Sequence, residues 1–207
     1  MRKPRNDEAR ITFEVKILDT TLTDKPVPRA EFELRQAMRK LWEDHVIWTR
    51  LYIISAVADA PDLDVTTARL LKNQDDIGNA VKPFYGEDGG NKLIDLLKAH
   101  IIGAAELVIA AKAGNAAKAE EAEKKRYENA DEIAVFFSAA NPNWPEKEMK
   151  EMMYDHLSLT KSEAVKRLTG DYAGDIADFD NIVMQIIGMA DMLSEGLIKQ
   201  FPERFGQ

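Results

Sequence analysis

The sequence predicts an all-α protein: a six-helix bundle built from three related helical hairpins and preceded by a strand-like N-terminal arm. From about residue 30 onward, apolar residues recur at alternating spacings of three and four, the period of an α-helix that buries one face. The three histidines of the 207-residue chain, His45, His100 and His156, lie 55 and 56 residues apart, each near the middle of a predicted helix. This spacing indicates a repeated helical unit.

The N-terminal arm is predicted from residues 10–18, RITFEVKIL, which alternate apolar and polar side chains as a β-strand does. The next segment, TLTDKPVPR, is a linker whose prolines are incompatible with a helix. We therefore divide the chain into an arm and linker, residues 1–29, and a helical bundle, residues 30–207. A lone strand lies on the bundle, is mobile, or pairs with its copy in a second chain to give a homodimer.

Glycine, proline and capping residues set the ends of the six predicted helices. These helices run from about 30 to 59, from Asp64 to Lys82, from after Gly90 to Gly114, from Asn115 to before Asn141, from after Pro145 to Gly170, and from Asp171 to Gln200. Apolar residues cover nearly every face of the last helix. This pattern favours a closed bundle with that helix near its centre over a short solenoid.

The six helices group into three hairpins of related sequence. The histidines end the similar segments LWEDH, LLKAH and MMYDH, and NQDDI recurs 56 residues later as NADEI, with MADML as a weaker third copy. Each hairpin closes on a proline: Pro83, Pro142 and Pro202. These spacings predict pseudo-repeats of about 30–86, 89–144 and 146–205. The alternative is chance similarity among helices of different lengths.

Composition excludes several classes of protein and site. The net charge of −8 argues against nucleic acid as a partner, and glutamates balance the basic run Lys124, Lys125 and Arg126. The absence of cysteine excludes disulfides, thiolate metal sites and cysteine nucleophiles. Because there is no signal peptide and no run of eighteen apolar residues, we expect no integral membrane segment and a cytoplasmic location, with an exported mature form as the alternative.

The histidines are the candidate metal ligands. If the helices that carry them surround a common axis, His45, His100 and His156 can bind a divalent transition metal and leave a fourth position open to water. Carboxylates on neighbouring helices would orient the imidazole rings. No Glu-x-x-His or HExxH motif accompanies them. The alternative is three separate histidine hydrogen bonds that serve packing.

Further polar residues are candidate contacts for a small ligand. They lie on or face the helices that carry the histidines: Arg50, Asn73, Asp76, Asn129 and Asp191. Asp191 lies on the most apolar helix and would need a partner if buried, with His156, Arg50 or Lys161 as candidates. Arg50 is equally a candidate partner for an acid of the second predicted helix.

Several segments together resemble an uncharacterised family of small all-helical bacterial proteins. They are LWEDHVIWTR, NQDDIGNAVKPFYG, NADEIAVFF, NPNW and QFPERF. The resemblance covers about residues 34–205, and it implies a helical bundle but no particular activity. Some members carry an export signal where this chain has its strand-like arm.

Two functional classes follow from these observations. The first is a non-enzymatic helical bundle that acts as a binding or interaction module for an unknown ligand. The alternative is a metal-binding bundle with a three-histidine site and neighbouring carboxylates. The sequence lacks a glycine-rich phosphate loop, a GxSxG motif and a dinucleotide fingerprint, and it identifies no catalytic residue.

Overall fold

The computed structural model describes residues 27–206, and the predicted all-α class is confirmed for them. The helices are α1, Arg29–Ala58; α2, Leu63–Lys112; α3, Ala116–Ala140; α4, Glu146–Thr169; α5, Tyr172–Gln200; and a short 3-10 helix, Pro202–Arg204. The predicted strand, residues 10–18, lies outside the described residues, as does most of the arm and linker, residues 1–29.

Capping residues and glycine set the helix ends at positions that the sequence predicted. The side chains of Asn115 and Asp171 accept hydrogen bonds from the backbone N–H groups of Lys118 and Gly174, and so cap α3 and α5. α4 ends at Gly170, whose φ of 81° lies in the left-handed region that favours glycine. These capping residues and Gly170 form the turn before α3 and the turn between α4 and α5.

The sequence predicted two separate helices on either side of Pro83, whereas the structure has one element there. This element, α2, is interrupted only at Gly86, where φ is 73° and ψ is 179°. Its two halves fold back on each other. The evidence is the close approach of Gly78 to Gly90, since a Cβ atom added to Gly78 would lie 2.8 Å from the carbonyl oxygen of Gly90. The described residues therefore hold five α-helices instead of the predicted six, with a chain reversal inside α2.

The helices pack in a closed ring. α1 packs against both α2 and α5, α3 packs between α2 and α4, and α4 packs against α5. The last helix is central only in its second half, where Leu193 and Leu197 are at most 1% exposed, whereas Tyr172, Ile176 and Met184 are more than half exposed. Across this ring, α4 also contacts α1 and α2.

Two apolar clusters fill this interior on either side of the histidines. The larger cluster includes the buried residue three positions before each histidine, which are Trp42, Leu97 and Met153. The smaller cluster includes the buried residue eight positions after each histidine, which are Ile53, Val108 and Ala164. The histidines therefore form a polar layer that is enclosed by apolar side chains.

Within residues 27–206, α5 is the one helix whose length and composition would allow it to cross a membrane. The mean hydropathy of its most apolar window is 1.2, and half of that window is buried inside the protein. Core helices of soluble proteins meet the same criterion, so it is weak evidence for a membrane span. The expected lack of an integral membrane segment stays a prediction.

Candidate metal centre

The three histidines meet in the interior. His45 lies on α1, His100 on the second half of α2 and His156 on α4, and none is more than 4% exposed. The ring centroids are 5.5 Å apart for His45 and His156, 5.8 Å for His100 and His156, and 6.1 Å for His45 and His100. One ligand nitrogen of each ring lies within 4.8 Å of the other two. Three helices distant in sequence thus bring their imidazoles to one place.

Burial keeps these imidazoles neutral. Desolvation lowers the pKa of His45 to about 3, and a positive charge on His156 would lower it further. Burial, together with the nearby guanidinium of Arg126, lowers the pKa of His156 to about 4. Burial also holds the pKa of His100 well below its ordinary value. Because the neutral ring donates its lone pair to a metal ion, the site is ready for ligation at pH 7 without loss of a proton.

Two glutamines orient two of the rings. Nε2 of Gln74 lies 3.3 Å from Nδ1 of His45, and Oε1 of Gln185 lies 3.3 Å from Nδ1 of His156. In both pairs the glutamine follows the histidine by 29 residues. In the His156 pair the amide oxygen accepts from Nδ1–H, which leaves the Nε2 lone pair for a metal ion. In the His45 pair the amide nitrogen donates to Nδ1, so the ring proton lies on Nε2.

Asn129 takes the corresponding position beside His100, also 29 residues later. Its side chain is one methylene shorter than glutamine, and within the described part of the chain neither its Oδ1 nor Nδ1 of His100 has a hydrogen-bond partner. Its amide nitrogen donates to the carbonyl oxygen of Leu96, at 3.1 Å. The predicted residue Asn73 makes the same kind of bond, 3.0 Å from the carbonyl oxygen of Leu41. Both asparagines tie the histidine helices to their neighbours.

The spacing of the ligand nitrogens fits a metal ion after a small adjustment. Nitrogens bound at about 2.1 Å to a tetrahedral ion lie about 3.4 Å apart, so the rings would move inward from their present separation of up to 4.8 Å.

Oε1 of Gln74 is buried and has no hydrogen-bond partner among residues 27–206. With the carboxamide turned over, this oxygen would accept the Nδ1 proton of His45, at the cost of the bonds that the amide nitrogen now donates to the carbonyl oxygen of Leu70 and to Oδ1 of Asn73.

The predicted carboxylates lie away from the histidines. Asp76 faces the surface, where Lys72 approaches it to 2.9 Å. Asp191 is bound at both oxygens by Arg39, at 2.6 and 2.7 Å, instead of by any of the three predicted partners. Its side chain is 34% exposed, because it lies on the outer side of α5. The expectation of carboxylates beside the metal ligands is therefore wrong.

Arg50 also lies outside the histidine layer. It binds Glu163, at 2.5 Å, and Asp175, which is also 3.2 Å from Arg167. Burial raises the pKa of Glu163 to about 7, although Arg50 opposes the rise. The expected pairing of Arg50 with an acid of the second predicted helix is wrong, since its partners lie on α4 and α5. The cluster is a buried ion-pair network that joins three helices.

Sequence reasoning missed Arg126, which lies beside the histidines. It is 2% exposed, and burial lowers its pKa to about 10. Its charge reaches both His100 and His156, where it lowers the pKa. From the sequence, Arg126 is only one member of a basic run balanced by glutamates, but it precedes Asn129 by three residues. That spacing puts both side chains on one face of α3 and was the signal available in the sequence.

A cavity of about 20 Å³ adjoins the histidine layer and is lined in part by Arg126. Its wall includes the residue one turn after each histidine, which are Thr49, Ala104 and Thr160. The hydroxyls of Thr49 and Thr160 donate to the carbonyl oxygens of His45 and His156, at 2.7 and 2.8 Å. Both hydroxyl protons are therefore taken up by the backbone of the helices that carry the histidines.

Comparisons of the chain with known protein families, curated proteins and solved structures find no match. The family resemblance of the helical segments stays a prediction. The geometry around the histidines is therefore the basis for inferring function.

Proposed function

We propose that the protein binds a divalent transition metal ion through His45, His100 and His156. The supporting observation is the convergence of three neutral imidazoles, whose ligand nitrogens lie within 4.8 Å of one another inside an apolar core. Histidines that served only packing would each need one hydrogen-bond partner and no contact with one another. A shared ligand explains why three helices carry them to the same point.

The chemistry of the donors limits the metal. Three imidazole nitrogens without a thiolate or a carboxylate suit zinc, copper, nickel, cobalt or ferrous iron, whereas magnesium and calcium prefer oxygen ligands. A set of three protein ligands is typical of zinc sites that keep a fourth position for water or a substrate. A metal held there supplies Lewis acidity, and the chain's own residues orient the rings and exclude bulk water.

We also infer that the chain consists of three related hairpins, about 30–86, 89–144 and 146–205, with six helical segments. The amide contacts support this inference. The side chains of Asn129 and Gln185 donate to the carbonyl oxygens of Leu96 and Met152, each four residues before a histidine. In the first hairpin, Asn73 makes the equivalent bond to the carbonyl oxygen four residues before His45.

A non-enzymatic interaction module is the second candidate function. It is favoured by the contacts that His45 and His156 already make with glutamines, since these contacts partly satisfy the buried rings without a metal. In this case the N-terminal arm is the candidate contact between two copies, and deletion of residues 1–28 should lower the mass of the oligomer. An unchanged mass would contradict dimerisation through the arm.

Metal titration of the untagged protein separates the two functions. After treatment with a chelator, the protein is expected to bind one equivalent of Co²⁺ and to develop the visible absorption of nitrogen-ligated cobalt. His156→Asn should weaken binding at least about tenfold, since the chain has no fourth histidine and no cysteine to replace the ligand. Ser194→Ala is the matched control, because Ser194 is a buried polar residue on α5 that donates only to Ala190.

Two results would contradict the metal site. One is substoichiometric binding of Co²⁺, Zn²⁺, Cu²⁺ and Ni²⁺ by the wild-type protein. The other is a set of histidine variants that lower the free energy of unfolding but bind metal as tightly as Ser194→Ala does. Either result would favour the interaction module.

A further inference from the structure

The guanidinium of Arg126 is buried without a counterion. It is 2% exposed, and within residues 27–206 its Nε has no hydrogen-bond partner and no carboxylate forms an ion pair with it. The charge of Glu123 reaches it, but the carboxylate of Glu123 is bound by Lys161 at 2.5 Å. A buried cation is normally paired, because the loss of hydration is otherwise not offset. The protein therefore keeps a cation in its interior that an anion would stabilise.

Packing fixes this side chain in place. The Cγ atom of Arg126 would lie 3.1 Å from a Cβ atom added to Gly103, so the arginine stem crosses α2 where the helix has no side chain. Gly103 follows His100 by three residues, which places the crossing within one turn of the histidine layer. The arginine is thus seated between α2 and α3 next to the histidines.

The adjoining cavity has room for a small anion, and its wall is mostly apolar, so the unpaired charge of Arg126 is what would hold one. Its volume of about 20 Å³ suits a species the size of one water molecule. Arg126 and Lys161 line it, and no acidic residue does so in the described part of the chain. Lys161 is neutralised by Glu123, whereas Arg126 keeps its full charge.

We propose that Arg126 binds a small monovalent anion in this cavity, beside the histidines. A single-atom anion fits this site better than a tetrahedral oxyanion such as sulfate or phosphate, because the space of about 20 Å³ suits one water-sized species. The proposal goes beyond the metal site and applies to the metal-free protein as well. When a divalent metal is bound, the charge of the three neutral imidazoles, the metal and the guanidinium reaches +3, so the same anion would be held more tightly.

Thermal unfolding of the chelator-treated protein tests the anion site directly. The melting temperature is measured in chloride, fluoride and sulfate at one fixed high ionic strength. After the general effect of each salt is subtracted, the wild-type protein should melt at a higher temperature in chloride or fluoride than in sulfate. Arg39→Met is the matched control for that effect, because it removes one positive charge that is bound to Asp191 on the surface. Arg39→Met should keep the difference between chloride and sulfate, whereas Arg126→Met should lose it.

Arg126→Met should also be at least as stable as the wild type in sulfate, since it removes an unpaired buried charge and keeps a side chain of similar length. Arg126→Lys keeps the charge and should retain part of the chloride effect. An equal chloride effect in wild type, Arg126→Met and Arg39→Met would overturn the proposal, as would the absence of any small-anion effect in the wild type.

Cobalt-loaded protein separates failure of this proposal from failure of the metal site. Arg126→Met should still bind one equivalent of Co²⁺, because none of the three ligands is changed. Chloride or fluoride should alter the cobalt absorption of the wild type at a concentration at least about tenfold lower than in Arg126→Met. If the anion concentration that alters the cobalt absorption is the same in both proteins, the anion site is refuted and the metal site is left intact. If cobalt does not bind at all, the metal site fails, and the melting experiment still decides the anion site.

Discussion

Nδ1 of His156 lies 3.3 Å from Oε1 of Gln185, which follows it by 29 residues and faces it from α5. The neutral imidazole donates its Nδ1 proton to this oxygen, so the lone pair of Nε2 is left free to bind a metal ion. The amide nitrogen of Gln185 donates in turn to the carbonyl oxygen of Met152, at 3.0 Å. One side chain thus selects the tautomer of the ring and is itself held by the backbone of the histidine helix.

Replacement of Gln185 by leucine should therefore weaken metal binding without removing a ligand. We expect a loss of about 10- to 100-fold in affinity for Co²⁺ or Zn²⁺, measured by competition with a chelator of known affinity. Gln185→Glu should bind more tightly than Gln185→Leu, because a carboxylate accepts the same proton. Unchanged affinity in Gln185→Leu would show that the contact does not orient the ring.

The buried histidines should make the metal-free protein sensitive to mild acid. Their pKa values in the folded protein are lowered, to about 3 for His45 and about 4 for His156. Below the unfolded pKa of about 6.5, the unfolded chain binds more protons than the folded one, so stability falls as the pH falls. Each histidine contributes at most about 1.4 kcal/mol per pH unit.

Glu163 acts in the opposite direction over part of this range. Its pKa is raised to about 7, so the folded protein binds the extra proton as the pH falls from about 7 towards 4.5. Three histidines less one glutamate leave a net slope of at most about 2.8 kcal/mol per pH unit. Urea unfolding at pH 7.5, 6.5 and 5.5 measures this slope. His45→Asn should reduce it, and a slope near zero in the wild type would contradict neutral burial of the histidines.

The sequence predicted the histidine layer better than its surroundings. A regular separation of 55 and 56 residues puts His45, His100 and His156 at equivalent points of three helices, and equivalent points can meet. The orienting residues were harder to find, because a shift of one residue turns a side chain by about 100° around a helix. The similarity of NQDDI to NADEI matched Asn73 with Asn129, whereas contact with the ring comes from Gln74.

The charged residues were less predictable for a different reason. Asp191 lies in an apolar segment, but its own direction on α5 is outward, and Arg39 reaches it from α1. Arg126 lies in a run of exposed charges, yet it alone in that run points to the core. Composition reports the average polarity of a segment. The direction of one side chain depends on how neighbouring helices pack, which a single sequence does not specify.

The contact between Gly196 and Trp144 gives a test of packing in the larger core cluster. A Cβ atom at Gly196 would lie 1.9 Å from Nε1 of the Trp144 indole, which is 1% exposed. Gly196→Ala should therefore force the indole to move and cost about 1–3 kcal/mol or more of unfolding free energy. Gly188 is the matched control on the same helix, because a Cβ atom there has no neighbour within 4 Å.

Gly188→Ala should raise the free energy of unfolding by about 0.5–1 kcal/mol, since alanine is the better helix former. Urea unfolding of both variants at pH 7.5 measures the difference. If the two substitutions change stability equally, then Trp144 does not pack tightly against α5.

The buried ion-pair network around Arg50 should respond unequally to loss of its members. Arg50→Met leaves Glu163 without a cation and Asp175 with Arg167 alone, so we expect it to cost about 3–5 kcal/mol at pH 7.5. Glu163→Gln keeps a hydrogen-bond acceptor for Arg50, which is still neutralised by Asp175. We expect this variant to cost less than about 1.5 kcal/mol.

The free energy of unfolding of these variants should also depend on pH. Because burial raises the pKa of Glu163 to about 7, this carboxyl is expected to take up a proton in Arg50→Met at any pH below that value. The destabilisation caused by Arg50→Met should therefore shrink between pH 8 and pH 6. That of Glu163→Gln should grow over the same range, because glutamine lacks the proton uptake that stabilises the wild type as the pH falls through about 7. Urea unfolding of the two variants and of the wild type across this range measures both trends. A destabilisation by Arg50→Met that is constant with pH would mean that Glu163 stays ionised without its partner, and that water reaches the carboxylate to hydrate it.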